Sequence, residues 1–239
     1  PNEWQTRGKK WQDVRTAINK AKRDGITDVL TTFKEAPFSV QTQIREISAQ
    51  WAGKKALPEM GFTLGGVDEL IDSRVRLLYA VDGNGKVLGV TSWLPTYRDG
   101  TIIGWTLDFM RHRTDSINGI MEFLIARMAE RLRDEDNVEF MSLSAAPLAG
   151  MGSSESEHEE SEVLRHALQM VADIMEPAYG FHSLFRFKLK FHPDEEKVYI
   201  CYPDAAKLPQ ISLAVAQAYV PSLTPAEAMR FVRTITPHD

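Results

Sequence analysis

Between residues 108 and 113 the chain carries one carboxylate, Asp108, and three basic side chains, Arg111, His112 and Arg113. Asn118 and Gly119 follow, opening a segment whose apolar residues Ile120, Met121, Leu124, Ile125, Met128 and Leu132 recur at the spacing of an amphipathic helix. The chemistry these types offer is ionic. An arginine such as Arg111 clamps a phosphate through paired N–H donors. A helix start adds free N–H groups and partial positive charge, which also favour an anion. A carboxylate either holds an ammonium group or accepts a hydroxyl proton. An exposed aspartate has a pKa of ~3.9 and is a weak base at neutral pH, which favours the ammonium role for Asp108. A purely structural pairing of Asp108 with Arg111 leaves the same pattern. His112 and Arg113 read more readily as solvated loop residues. Asn118 and Gly119 read as a helix cap, with ligand contact as a second use.

Positioning these groups requires a strand over residues 102–110, a polar loop over 111–117 and the helix that begins at 118. Upstream, residues 1–25 are locally basic, with Arg7, Lys9, Lys10, Arg15, Lys20, Lys22 and Arg23 against Glu3, Asp13 and Asp24. Trp11, Val14 and Ile18 give that stretch a helical face, and Gly25 suits its end. Its cations read either as a solvated face or as a phosphate-tracking surface. Residues 37–53 predict a second helix with Ile44, Ile47 and Trp51 on one side, and residues 56–66 a defined, glycine-rich loop. A short helix at 68–73 and a strand at 74–81 come next. Asp82-Gly83-Asn84-Gly85 signals a hairpin turn to a strand at 86–94, with a loop over 95–100.

Past the central helix, residues 138–144 predict a strand and 152–161 have the acidic, low-complexity composition of a mobile surface loop. Residues 162–176 predict a helix that ends on Glu176, an unusual place for an acid because a helix C-terminus is already negative. In 183–192, Phe185, Phe187, Leu189 and Phe191 alternate with Arg186, Lys188, Lys190 and His192, which predicts a strand with one basic face. Residues 197–201 read as a last short strand and 209–219 as an apolar helix. Thr224-Pro225-Ala226-Glu227 is a capping box that opens a final helix. A hairpin pair followed by strand–helix–strand implies an α/β chain with a mixed sheet and helices on both faces. The organisation expected is a basic connecting helix segment over 1–36, a central domain over 37–204 and C-terminal helices over 205–239.

The totals narrow the classes. At 239 residues and 43% hydrophobic the chain has length and apolar content for a buried core. A net charge of −5 means that a nucleic-acid partner would need a local patch. Cys201 is the only cysteine, which excludes an internal disulfide and suits a reducing compartment. No apolar run reaches the ~20 residues of a membrane span, and no signal-peptide pattern is seen. The first residue is Pro1, so a fragment of something longer is expected. The six histidines are scattered without ligand spacing, and no nucleophilic serine elbow or Cys–His arrangement occurs.

This order of elements resembles the acyltransferase fold of the GNAT superfamily of N-acetyltransferases. The place of that superfamily's glycine-rich pyrophosphate cradle is held here by residues 111–119 (RHRTDSING), which lack its spacing and argue against coenzyme A. The chain resembles more specifically the catalytic region of the phosphatidylglycerol lysyltransferase (aminoacyl-phosphatidylglycerol synthase, or multiple peptide resistance factor) family. The carrying stretches are 11–21 (WQDVRTAINKA), 47–65 (ISAQWAGKKALPEMGFTLG), 108–124 (DFMRHRTDSINGIMEFL), 142–150 (SLSAAPLAG) and 184–193 (LFRFKLKFHP). Only the second of the family's two acyltransferase-like halves is represented, with the basic connecting helix, and the transmembrane part is not.

What the resemblance implies is a GNAT-like fold and transfer of an aminoacyl group, lysyl by family, from aminoacyl-tRNA to a glycerol hydroxyl of phosphatidylglycerol. The product lipid is less negative, which weakens attraction of cationic peptides. The reaction calls for no cofactor or metal and is placed at the cytoplasmic side of the bacterial membrane, with the parent protein membrane-anchored. The resemblance marks Asp108, Arg111, Lys188 and Lys190 as catalytic. Glu176, Asn118, Gly119, Arg113 and Arg186 are expected to bind substrate, and Lys9, Lys10, Arg15, Lys20, Lys22 and Arg23 the tRNA. Two rival readings remain: the same fold with another donor or acceptor (diacylglycerol, a peptide amine, a coenzyme A thioester), and a non-catalytic half that binds tRNA or membrane.

Overall fold

The computed structural model describes residues 1, 3–52, 65–145, 181–196 and 201–204, with 207, 210, 211, 214 and 218. The expectations for 56–64, 152–161, 162–176 (with Glu176), 197–200 and 221–239 lie outside the described residues. The chain divides into two units, Pro1–Lys54 with Leu64–Ser144, and Lys55–Thr63 with Ala145–Asp239.

The first unit is built on a five-stranded sheet in the order β1-β2-β3-β4-β5. The strands are β1 (Thr27–Thr31), β2 (Arg76–Val81), β3 (Val87–Arg98), β4 (Thr101–His112) and β5 (Phe140–Ser142). The first four run antiparallel, and β5 lies parallel to β4 through the crossover helix α3 (Ile120–Arg133). Helix α2 (Phe38–Ala52) covers one face, where Ile44 and Ile47 are buried with Leu77, Tyr79, Val90 and Phe109. The other face meets α3, whose Ile120 and Met121 lie over Gly89. Helix α1 (Gln12–Arg23) packs on α3, with Val14, Ala17, Ile18 and Ala21 turned inward. Beyond Arg23 the Ile26 N–H returns to Ala21 O and the Gly25 N–H to Lys22 O, the capping bonds of a helix that stops at glycine.

The mixed sheet with helices on both faces is as the sequence predicts; several boundaries differ. Strand β1 is not foreseen, because Thr27-Asp28-Val29 reads as polar. Asp28 is compensated there by Arg127 at 2.7 Å and Arg131 at 2.6 Å from α3. Residues 95–98, expected as loop, continue β3 and turn into β4 at Asp99–Gly100, so Pro95 sits inside a strand opposite Trp105. Arg111 and His112, expected in the loop, are the last residues of β4.

The larger correction is in the second unit. Residues 183–192 do not form a strand: Phe181–Leu189 is a helix, α4, followed by a turn. The alternating pattern also fits a helical period, with Leu184, Phe187 and Phe191 spaced along one side and Phe187 edge-on to Phe191 at 5.6 Å. Leucine, arginine and lysine favour helix, and a strand needs a neighbour to pair with. No strand of the second unit is found among the described residues. Lys188 and Lys190 therefore do not share a strand face: Lys188 stands on α4 and Lys190 in the turn that follows it.

Among the described residues no helix is long and apolar enough to cross a membrane.

Candidate active site

The irregular place in the sheet is at Asp108. Thr91 pairs with Met110 and Trp93 with Leu107, leaving Asp108 and Phe109 together opposite Ser92. This is a β-bulge, and the Phe109 N–H donates to Ser92 Oγ at 3.1 Å. On a regular strand residues three apart face opposite ways. Here the extra residue returns Met110 to the face of Leu107 and leaves Asp108, Phe109 and Arg111 on the α2 side.

Asp108 is half-buried and accepts a hydrogen bond from the Gly65 N–H at 3.2 Å. The premise of an exposed aspartate is therefore corrected. Burial pushes its pKa above the ordinary 3.8; the Gly65 N–H opposes that rise, and the negative charge of Glu69 adds to it. Glu69 in turn accepts from the Gly66 N–H at 2.7 Å.

Arg111 goes deeper, with 5% of its surface exposed. Its guanidinium lies between two aromatic faces, 4.2 Å from the Trp51 ring centre and 4.5 Å from that of Phe109, and donates to Ser48 Oγ on α2. A cation in such a place is held by ring quadrupoles as well as hydrogen bonds. Arg113 fastens the end of β4 to its neighbours, donating to Val87 O at 2.8 Å and pairing with Glu46 at 3.3 Å. His112 is exposed, its Nδ1 2.8 Å from Arg113 O. Asn118 is exposed and Gly119 is the N-cap of α3 in the left-handed region, φ 91°. A Cβ there would stand 2.8 Å from Ala17 Cβ, so the helix start is packed against α1.

Lys188, Lys190 and Arg186 belong to the second unit. Lys188 is 7% exposed and donates to Ala145 O at 2.7 Å, and burial pulls its pKa down to about 8 from 10.5. Lys190 lies 5.5 Å from the Phe187 ring centre, and Arg186 is exposed. Of the basic N-terminal residues, Arg7, Lys9, Lys10, Lys22 and Arg23 are exposed and Lys20 partly so. Arg15 donates to Thr6 O and Gly8 O, so it ties down the segment before α1. The structure thus brings Asp108 and Arg111 to one sheet face. It adds Ser48, Gly65 and Glu69, which the sequence reading does not name as site residues; it takes Gly65 only as part of the glycine-rich loop, and the adjacent Gly65-Gly66 pair is the signal of a close backbone approach.

Residues 1–202 match the family described as phosphatidylglycerol lysyltransferase, C-terminal. The chain belongs to this family. It is 43% identical over 90% of its length to an uncharacterized protein of Corynebacterium glutamicum, of which it spans 26%. It is 28% identical over 84% of its length to the phosphatidylglycerol lysyltransferase of Bacillus subtilis, spanning 22% of that protein. With the lysylphosphatidylglycerol biosynthesis bifunctional protein LysX of Rhodococcus jostii the identity is 22%, over 90% of this chain and 19% of the relative. The chain thus spans about a quarter or less of the curated relatives it matches. The structure of L-PGS from Bacillus licheniformis superposes with a TM-score of 0.71 at 24% identity, covering 91% of this chain and 63% of that one. The C-terminal domain of a putative lysylphosphatidylglycerol synthetase from Agrobacterium fabrum gives 0.69 at 23%, covering 92% and 63%. At these identities the two structures establish a shared fold.

Proposed function

We propose that this chain is the catalytic part of an aminoacyltransferase that moves a lysyl group from aminoacyl-tRNA to a glycerol hydroxyl of phosphatidylglycerol. The observation that carries the reading is the family match across residues 1–202. The names of the Bacillus subtilis and Rhodococcus jostii relatives support the lipid acceptor and the lysyl group. In the transfer the hydroxyl oxygen bonds to the aminoacyl carbonyl carbon, the ester bond to the tRNA ribose breaks, and the hydroxyl proton ends on the ribose oxygen. Asp108 takes that proton in transit. Its half-buried position and raised pKa fit it for this better than for a purely solvated ion contact. Arg111, fixed against α2, supplies positive charge on the same sheet face for the oxyanion that develops at the carbonyl. Lys188, Lys190, Arg186, Glu176, Asn118, Gly119 and Arg113 remain proposed contacts to the phosphates and to the transferred residue. The exposed cations of residues 9–23 are proposed to meet the tRNA. The enzyme would work at the cytoplasmic membrane surface as part of a longer, membrane-anchored protein, and its product would reduce the pull on cationic peptides.

The test gives the protein containing this chain radiolabelled lysyl-tRNA and phosphatidylglycerol vesicles and counts label in the lipid extract. Label with the parent and none with Asp108→Ala supports the assignment. Label that persists in Asp108→Ala removes Asp108 from the chemistry, and no lipid label from any aminoacyl-tRNA overturns the transferase reading. Retained tRNA binding in that last case would leave a binding half of a larger enzyme.

A further inference from the structure

Two consecutive peptide N–H groups each hold a carboxylate near β4. The Gly65 N–H donates to Asp108 Oδ1 at 3.2 Å and the Gly66 N–H to Glu69 Oε2 at 2.7 Å. Glu69 stands on a single helical turn, Glu69–Ile71, whose next residue, Leu70, is buried in the α2-side core beside Ile44, Leu77 and Phe109. The carboxylate is therefore carried on an anchored turn. A Cβ on Gly65 would stand 2.6 Å from Asp108 Cγ, and one on Gly66 would stand 3.0 Å from Glu69 Oε2. The first of these is closer than a Cβ tolerates, so a side chain at Gly65 would push the Asp108 carboxylate aside.

We propose that Gly65, Gly66 and Glu69 are positioning residues for Asp108, Gly65 fixing the direction of its carboxylate and Glu69, itself held by Gly66, fixing its charge environment. This rests on the reading of Asp108 as a transfer-site residue. The two influences have opposite sign. An N–H donor stabilises the ionised carboxylate, whereas a neighbouring negative charge disfavours it. Charged groups on the surrounding elements include Glu46 on α2, Asp68 and Asp72 beside the Glu69 turn, Arg76 on β2 and Arg111 on β4. Asp108 and Glu69 are held by adjacent peptide N–H groups, and the negative charge of Glu69 adds to the rise that burial gives Asp108.

The decisive experiment follows the carboxyl carbon resonance of Asp108 by NMR in the full chain labelled at aspartate, assigned by its loss in Asp108→Asn and titrated through the acid range. In Glu69→Gln the apparent pKa of Asp108 is expected to fall, and in Gly65→Ala to rise. Opposite shifts establish the arrangement. An unchanged titration in Glu69→Gln overturns it, and this variant decides alone where Gly65→Ala does not fold. If lipid labelling is observed, the acidic limb of its pH profile moves to lower pH in Glu69→Gln. Because the NMR readout needs no turnover, unshifted titration overturns the positioning proposal, whereas normal shifts without lipid labelling overturn the transfer reading instead.

Discussion

Replacing Asp108 with asparagine removes a charge that burial and Glu69 both disfavour, yet keeps an oxygen for the Gly65 N–H. The folded-state pKa lies above the ordinary 3.8. Stability is therefore fully present below 3.8 and declines as pH rises through the raised value. Asp108→Asn is expected to melt above the parent at neutral pH and level with it in acid, while lipid labelling falls about a hundredfold or more. Thermal melts at two pH values check this, and a destabilised variant at neutral pH would make the carboxylate structural. Arg111 behaves differently. Arg111→Ala is expected to cost about 2–4 kcal/mol in urea unfolding, since it empties a slot between Trp51 and Phe109 and strips Ser48 of its donor. A solvated phosphate clamp would cost less than about 0.5 kcal/mol. Both residues were legible in the sequence by type, but not their directions. The bulge that aligns them leaves no mark in residue spacing, and nothing between positions 69 and 108 announces that Glu69 and Asp108 are held by neighbouring peptide N–H groups.

At the scale of elements, the strand–loop–helix of β4 and α3 was readable because β-favouring apolar residues mark the strand and a helical period marks α3. The α4 segment was not, since ten alternating residues satisfy two periods and only its packing decides. Strand β1 was hidden because its Asp28 is neutralised by arginines about a hundred residues away. The junction of α1 with α3 offers a test of such long-range fitting. Gly119 has φ 91° and lies where a Cβ would meet Ala17. Gly119→Ala is therefore expected to lose about 1–3 kcal/mol by denaturant unfolding. Ala17→Gly in the same chain should recover the part due to the clash and leave the part due to backbone strain. Equal losses in the single and double variants would mean that the helices do not touch there.

Over the whole molecule the charges are unevenly placed: the net is −5, yet Lys9, Lys10, Lys22 and Arg23 stand exposed along one short N-terminal stretch. The buried face of α1 is spent on α3; Lys10 lies 5.7 Å from the Trp11 ring centre just before that helix, and Arg23 at its end pairs with Asp24 at 3.6 Å. Lys20 and Lys22 lie in the last turn, where the helix C-terminus favours positive charge. If this stretch meets tRNA, binding is governed by counterion release, and four phosphate contacts give a slope of about −3 in log K against log salt. Replacing Lys9, Lys10, Lys22 and Arg23 with glutamine should make that slope shallower and weaken binding, whereas Asp108→Asn should leave it unchanged. Filter binding of tRNA across a salt series measures both. A slope that survives the fourfold change would move the nucleic-acid surface away from α1, and tRNA would then have to meet cations elsewhere on an otherwise acidic chain.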